Sequence, residues 1–174
     1  MDREQFRAMQ APLKEKYRRD PDAALLTLRA MGRASADLAF TVGTHSGSVE
    51  AGLNPSAGGD GTLAAAEEML LEALVACSGV TLQAVATASG IVLREAQIVI
   101  EGDIDVRGTL AISKDVPVGF REIRLRFELD ADAPDEKLDK LVELTERYCV
   151  VLQSLRQPTE IRSTRVQLTA ARSK

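Results

Sequence analysis

The sequence predicts an α+β fold in which helices cover one face of largely antiparallel sheet. Three observations support this. Residues 63–89 are apolar almost all round, through Leu63, Ala66, Leu70, Leu71, Leu74, Cys77, Val80, Leu82 and Val85. A helix with that pattern is buried on more than one side. Residues 120–129 alternate, with Ile123, Leu125, Phe127 and Leu129 on one side and Glu122, Arg124, Arg126 and Glu128 on the other. That is a strand with one core face and one wet face. The order strands, helix, strands, helix, strand then lays the helices over the sheet.

The remaining elements follow in order. Residues 3–18 place Phe6, Met9, Leu13 and Tyr17 three to four apart among charges, an amphipathic helix that Pro12 should kink or break. Asp20–Pro21–Asp22 is a turn. Residues 24–28, 36–42 and 48–53 read as short strands, the last two joined by a hairpin at Thr44–His45–Ser46–Gly47. Residues 54–61 are a Gly-rich loop, but no Lys follows it, so it lacks the end of a phosphate-binding loop. Thr62 is a fair cap for the long helix, Gly79 a place where it could kink, and Gly90 its stop. Residues 92–107 keep period two through Ile98, Ile100, Ile104 and Val106, and 108–119 form a hairpin loop. Asp132 and Pro134 open a second helix whose stripe is Leu138, Leu141, Thr145, Cys149 and Leu152. Gln157–Pro158 ends it, and residues 160–168 read as a final strand. There is no internal repeat.

Composition narrows the function. The chain has 174 residues, 45% hydrophobic and 28% charged, enough for one domain with a sizeable core. A net charge of −4 argues against a nucleic-acid partner. No run approaches the about 18 apolar residues of a span, so no membrane partner is expected. The charged start, Met1–Asp2–Arg3–Glu4, has no apolar core of a secretory signal, and with just two cysteines in the chain the expected location is the cytoplasm. Aromatics are 3% with no Trp, which disfavours stacking platforms. The single histidine, His45, reads as a hairpin-tip residue. It leaves neither a zinc ligand set nor a base-paired nucleophile of the hydrolase kind.

Cys77 and Cys149 are the cysteines, each set in a helical stretch. Two readings are open. As thiolate and partner thiol they can carry two-electron redox chemistry, the oxidised sulfur being captured as a disulfide. As small hydrophobes they can simply fill the core.

Four segments bear on the choice: Gly58 to Cys77, Glu101 to Gly108, Val118–Gly119–Phe120, and Arg147–Tyr148–Cys149–Val150. Taken together over residues 24–168, the chain resembles the OsmC/Ohr family of organic hydroperoxide reductases and osmotically induced proteins. The resemblance implies antiparallel sheets wrapped around a long central helix in an intertwined homodimer. Residues 1–22 would be an N-terminal helical extension and 23–174 a single domain. It implies that Cys77 is the peroxidatic thiolate and Cys149 the resolving thiol. Glu67, ten residues before Cys77, holds the place of the family's active-site Glu. Arg33, with Arg29 as the second choice, holds that of the thiolate-stabilising Arg. The implied substrate is an organic hydroperoxide and the implied reductant a dithiol or lipoylated protein, with no metal or organic cofactor. Val150 stands where the peroxidase branch commonly has Pro, which marks a divergent branch. A non-catalytic binding module, or a stress-associated dimer with structural cysteines, is the alternative on the same fold.

Overall fold

The computed structural model describes residues 1–157 and 159–167. Helix α1 (Arg3–Arg19) starts on a capping box: Asp2 accepts from the Gln5 backbone N–H at 2.8 Å, and the Gln5 side chain accepts from the Asp2 N–H at 3.0 Å. Pro12 lies inside α1 without ending it. The carbonyl it leaves unpaired, that of Ala8, stands on an exposed helix where water can take it.

The first sheet holds β1 (Gly32–Ala34), β2 (Phe40–Thr44), β3 (Gly47–Gly52) and β4 (Ala64–Ala65) in that order. Its pairings are antiparallel except β3 with β4, which is parallel. The turn through His45 joins β2 to β3 as expected. Two strand expectations are corrected. Residues 36–39 form the turn between β1 and β2, with Asp37 and Leu38 at φ of 52° and 63°. Residues 24–28 form no strand: Ala24 ends a short 3-10 turn, Leu25, Leu26 and Leu28 are exposed, and among the described residues no strand pairs with them.

β4 runs straight into the central helix α2 (Ala66–Ser89), which begins later than the pattern suggests. Thr62 does not cap it; its N–H and hydroxyl both donate to the Asp60 carboxylate, at 2.9 and 2.7 Å. Gly90, at φ 73°, closes the helix in the left-handed conformation that glycine adopts freely. By length and composition α2 could cross a membrane, contrary to the expectation that no stretch comes near a span. It packs on sheet and helices along one side, and in the single chain its other side, with Val80, is open, so it is not buried on more than one side as the pattern suggests.

β5 (Leu93–Ile104) and β6 (Phe120–Ala131) pair antiparallel, with Ile98 opposite Phe127 and Ile100 opposite Leu125. The expected end of the first of these strands is instead a short helix α3 (Val106–Thr109), capped by Asp105. The wet face of β6 carries ion pairs, Arg124 with Asp103, Glu122 and Glu101 among them. The second helical stretch is two helices, α4 (Asp135–Tyr148) and α5 (Val150–Arg156), parted at Cys149. Residues 160–167 form no strand, and Leu168 lies outside the described residues.

α2 buries a stripe of Leu74, Ser78, Leu82 and Ala86, four residues apart. At one end Leu82, Ala86 and Leu141 pack with Ile98, Phe127 and Leu129. At the other Leu74, Cys149 and Leu152 pack with Cys77, Ile100, Ile123 and Leu125. The observed architecture is thus α+β, with a long central helix against sheet and the two cysteines in one of its two core clusters.

Candidate functional site

Cys149 is the joint between α4 and α5. Its N–H donates to the Thr145 carbonyl at 3.0 Å, ending α4, and its carbonyl accepts from the Gln153 N–H at 2.9 Å, beginning α5. Its own backbone is extended, at φ −73° and ψ 108°. The joint is braced by the Gln153 side-chain amide on the Glu146 carbonyl at 2.8 Å and by an Arg156–Glu146 ion pair at 2.8 Å. Breaking the helix here frees the first backbone N–H groups of α5, which have no partner within that helix.

Cys77 comes to this joint from α2. It is half-buried, packs against the buried Leu74, Cys149 and Leu152, and both thiols are free. Burial pushes the Cys77 pKa up. Acting against burial are the Val151 N–H, the Cys149 thiol, the Val150 N–H and the Thr81 hydroxyl, and together they bring it below the ordinary thiol value. The groups that favour the thiolate are therefore the freed amides and neighbouring polar hydrogens; no Arg or Lys figures among them.

Next to Cys77 on α2, Ser78 is fully buried, and its hydroxyl lies 3.5 Å from the Cys149 sulfur. Thr145, also fully buried, donates instead to the Leu141 carbonyl at 2.8 Å.

The other sequence-derived residues stand elsewhere in the chain. Glu67 is half-buried in the first turn of α2 and borders a cleft of about 950 Å³ between that turn, the end of β5 and the start of β6. Ten residues of helix separate it from Cys77, roughly 15 Å along the axis. Arg33 is exposed on β1, opposite Thr41 of β2, and Arg29 is exposed in the segment before it. Thus Cys77 and Cys149 come together, while Glu67, Arg33 and Arg29 are not among the groups that act on Cys77 within one chain. Among the described residues no group of three or more His, Cys, Asp or Glu is placed to hold a metal.

Sequence reasoning missed Ser78, Thr81 and the helix break. Ser78 left a signal: it is the polar member of the Leu74–Leu82 stripe. The break left none in the cysteine itself, because an unbroken helix would show the same apolar spacing.

Solved structures share this fold. An OsmC-like protein from Mycoplasma pneumoniae aligns with a TM-score of 0.65 at 16% identity, over 76% of this chain and 89% of its own. An organic hydroperoxide resistance protein OsmC from Legionella pneumophila aligns with a TM-score of 0.60 at 18% identity, over 76% and 90%. An organic hydroperoxide resistance protein from Elizabethkingia anophelis aligns with a TM-score of 0.58 at 17% identity, over 77% and 91%. No curated protein matches the chain in sequence. The family model described as OsmC-like protein matches residues 59–164, from the loop before α2 to beyond α5. The central helix, the paired strands and both cysteines all fall within that span, and the chain belongs to the OsmC-like protein family.

Proposed function

We propose that this protein is a thiol-dependent peroxidase that reduces organic hydroperoxides, with Cys77 as the peroxidatic thiolate and Cys149 as the resolving thiol. The observation that carries the reading is the meeting of the two cysteines at a helix break whose freed N–H groups favour the Cys77 thiolate. The names of the Legionella and Elizabethkingia proteins, which are organic hydroperoxide resistance proteins, point to the same substrate class.

In this scheme the Cys77 sulfur attacks the terminal peroxide oxygen. The O–O bond breaks, the alkoxide takes a proton and leaves as an alcohol, and Cys77 becomes a sulfenic acid. Cys149 attacks that sulfur, the S–O bond breaks, and water leaves as the disulfide forms. A dithiol or lipoylated protein, in the reducing cytoplasm, then restores both thiols by exchange. The scheme uses neither a metal nor an organic cofactor.

The active form in this reading is a homodimer. A compact chain of 18.8 kDa has a surface of about 8,300 Å². This chain alone exposes 13873 Å². The surplus includes one side of α2, where Val80 is 73% exposed, and the extended segment with Leu25 and Leu28 at 88% and 81%. In this reading a second copy covers these surfaces, and Glu67 and an arginine act on the sulfur across the interface, since Glu67 is not among the groups that act on Cys77 within one chain. Arg33 is the arginine proposed for that role.

The test is peroxide consumption with cumene hydroperoxide and a dithiol. Cys77→Ser should abolish turnover. With the dithiol left out, Cys149→Ser should consume one equivalent and leave a sulfenic acid on Cys77. Full turnover by Cys77→Ser contradicts the reading. The open cleft beside Glu67 favours a second reading, the binding of an apolar ligand without catalysis. It predicts thiols that do not react with peroxide at all.

A further inference from the structure

We propose that Ser78 is a positioning residue for the resolving step: its hydroxyl holds the Cys149 sulfur beside Cys77 and donates to that sulfur as its proton leaves. This rests on the two-thiol reading above.

Both Ser78 and Cys149 have 0% exposure, and their Oγ and Sγ lie 3.5 Å apart. A buried hydroxyl needs a partner, and a helical Ser or Thr usually finds one in the carbonyl a turn earlier. Thr145 does so on α4. Ser78 does not: among the described residues the Cys149 sulfur is its side-chain partner. A neutral thiol is a weak donor and a weak acceptor, so in the resting state this contact compensates the buried hydroxyl poorly. A thiolate is a far stronger acceptor. The pair is therefore matched best to the state in which Cys149 is ionised, which is the state that attacks.

Cys149 shares its core cluster with Leu74 of α2 and Leu152 of α5, and Cys77, Ile100, Ile123, Leu125 and Val151 pack against that cluster. In the resolving step Cys77 is already oxidised. In that step the Cys149 electron pair forms the S–S bond, the Cys77 S–O bond breaks, and the departing hydroxide carries off the Cys149 proton as water. The hydroxyl of Ser78 keeps its own proton and donates to the sulfur as it ionises.

The step can be read without peroxide. An excess of dithionitrobenzoate converts Cys77 to a mixed disulfide and releases one coloured thiolate. Attack by Cys149 then releases a second, so the two phases report the two sulfurs separately. In Ser78→Ala the second phase should slow by about tenfold and its pH midpoint should rise, while the first phase is unchanged. Ser78→Thr should keep the second phase and Ser78→Val, equal in shape, should lose it. That pair gives the same comparison should the alanine variant fail to fold. A second phase with unchanged rate and pH midpoint in Ser78→Ala, or equal phases in the Thr and Val variants, overturns the proposal. A wild type with no second phase overturns it too. Peroxide inertness of the wild type, with the second phase still slowed in Ser78→Ala, overturns the peroxidase reading and leaves the role of Ser78 standing.

Discussion

Cys149 closes α4 and caps α5, and Cys77 packs against it from α2, so that the freed amides of Val150 and Val151 bear on the Cys77 sulfur. The arrangement supplies thiolate stabilisation from backbone rather than from a charged side chain of the same chain.

The amides set the direction of the Cys77 shift. Its rate of alkylation by iodoacetamide, followed by peptide mass, should rise with pH about a midpoint below that of the same thiol in the unfolded chain. The sign for folding follows from the same shift. A lowered folded value favours the folded state above the unfolded thiol's pKa, and that gain is lost as pH falls through the folded value. A midpoint at or above that of a free cysteine counts against the amides.

Val150 is the first residue of α5, where proline is well tolerated, and Cys149 already has the extended backbone a following proline requires. Val150→Pro should leave the melting temperature unchanged or higher. It removes one of the amides acting on Cys77, so the alkylation midpoint should move upward. A lower midpoint contradicts the role given to the Val150 N–H.

Leu74 has 0% exposure and joins α2 to Ile100, Ile123 and Leu152 in the cluster that holds both cysteines. Leu74→Ala should cost about 2–5 kcal/mol in urea unfolding. A loss below about 1 kcal/mol would mean that this cluster is not packed as described.

Val80 separates the monomer from the dimer. At 73% exposure it is a surface residue of a lone chain, where Val80→Glu should change stability by no more than about 0.5 kcal/mol. In a dimer formed across that side of α2, the same charge is buried against the second copy. Sedimentation should then show dimer for the wild type and monomer for the variant. A wild type that sediments as a monomer removes the second copy from the site.

What could be read in the sequence was what a single chain satisfies by itself. β6 alternates because one face packs on the two core clusters and the other meets water, so Phe127 and Arg126 declared their sides in advance. α2 was legible as a helix from its apolar run, and Gly90 as its end. Residues 24–28 and 160–167 were misread because their apolar residues suggest strand, while a strand also needs a neighbour to pair with. Residues 36–39 misled because Leu38 is apolar yet sits exposed at a turn, 81% open to solvent. The cysteine stripe was visible, but the break at Cys149 was not. The consequence was that the amides favouring the thiolate had to be seen in the structure, where an arginine had been expected.

The mass of the protein and of its peptides after one equivalent of cumene hydroperoxide shows whether the two sulfurs react together. Loss of two hydrogens, with a disulfide linking the Cys77 peptide to the Cys149 peptide and reversed by a dithiol, is the expected result. An unchanged mass with both thiols still free, or a stable sulfenic acid on Cys77 with Cys149 unreacted in the wild type, would contradict it.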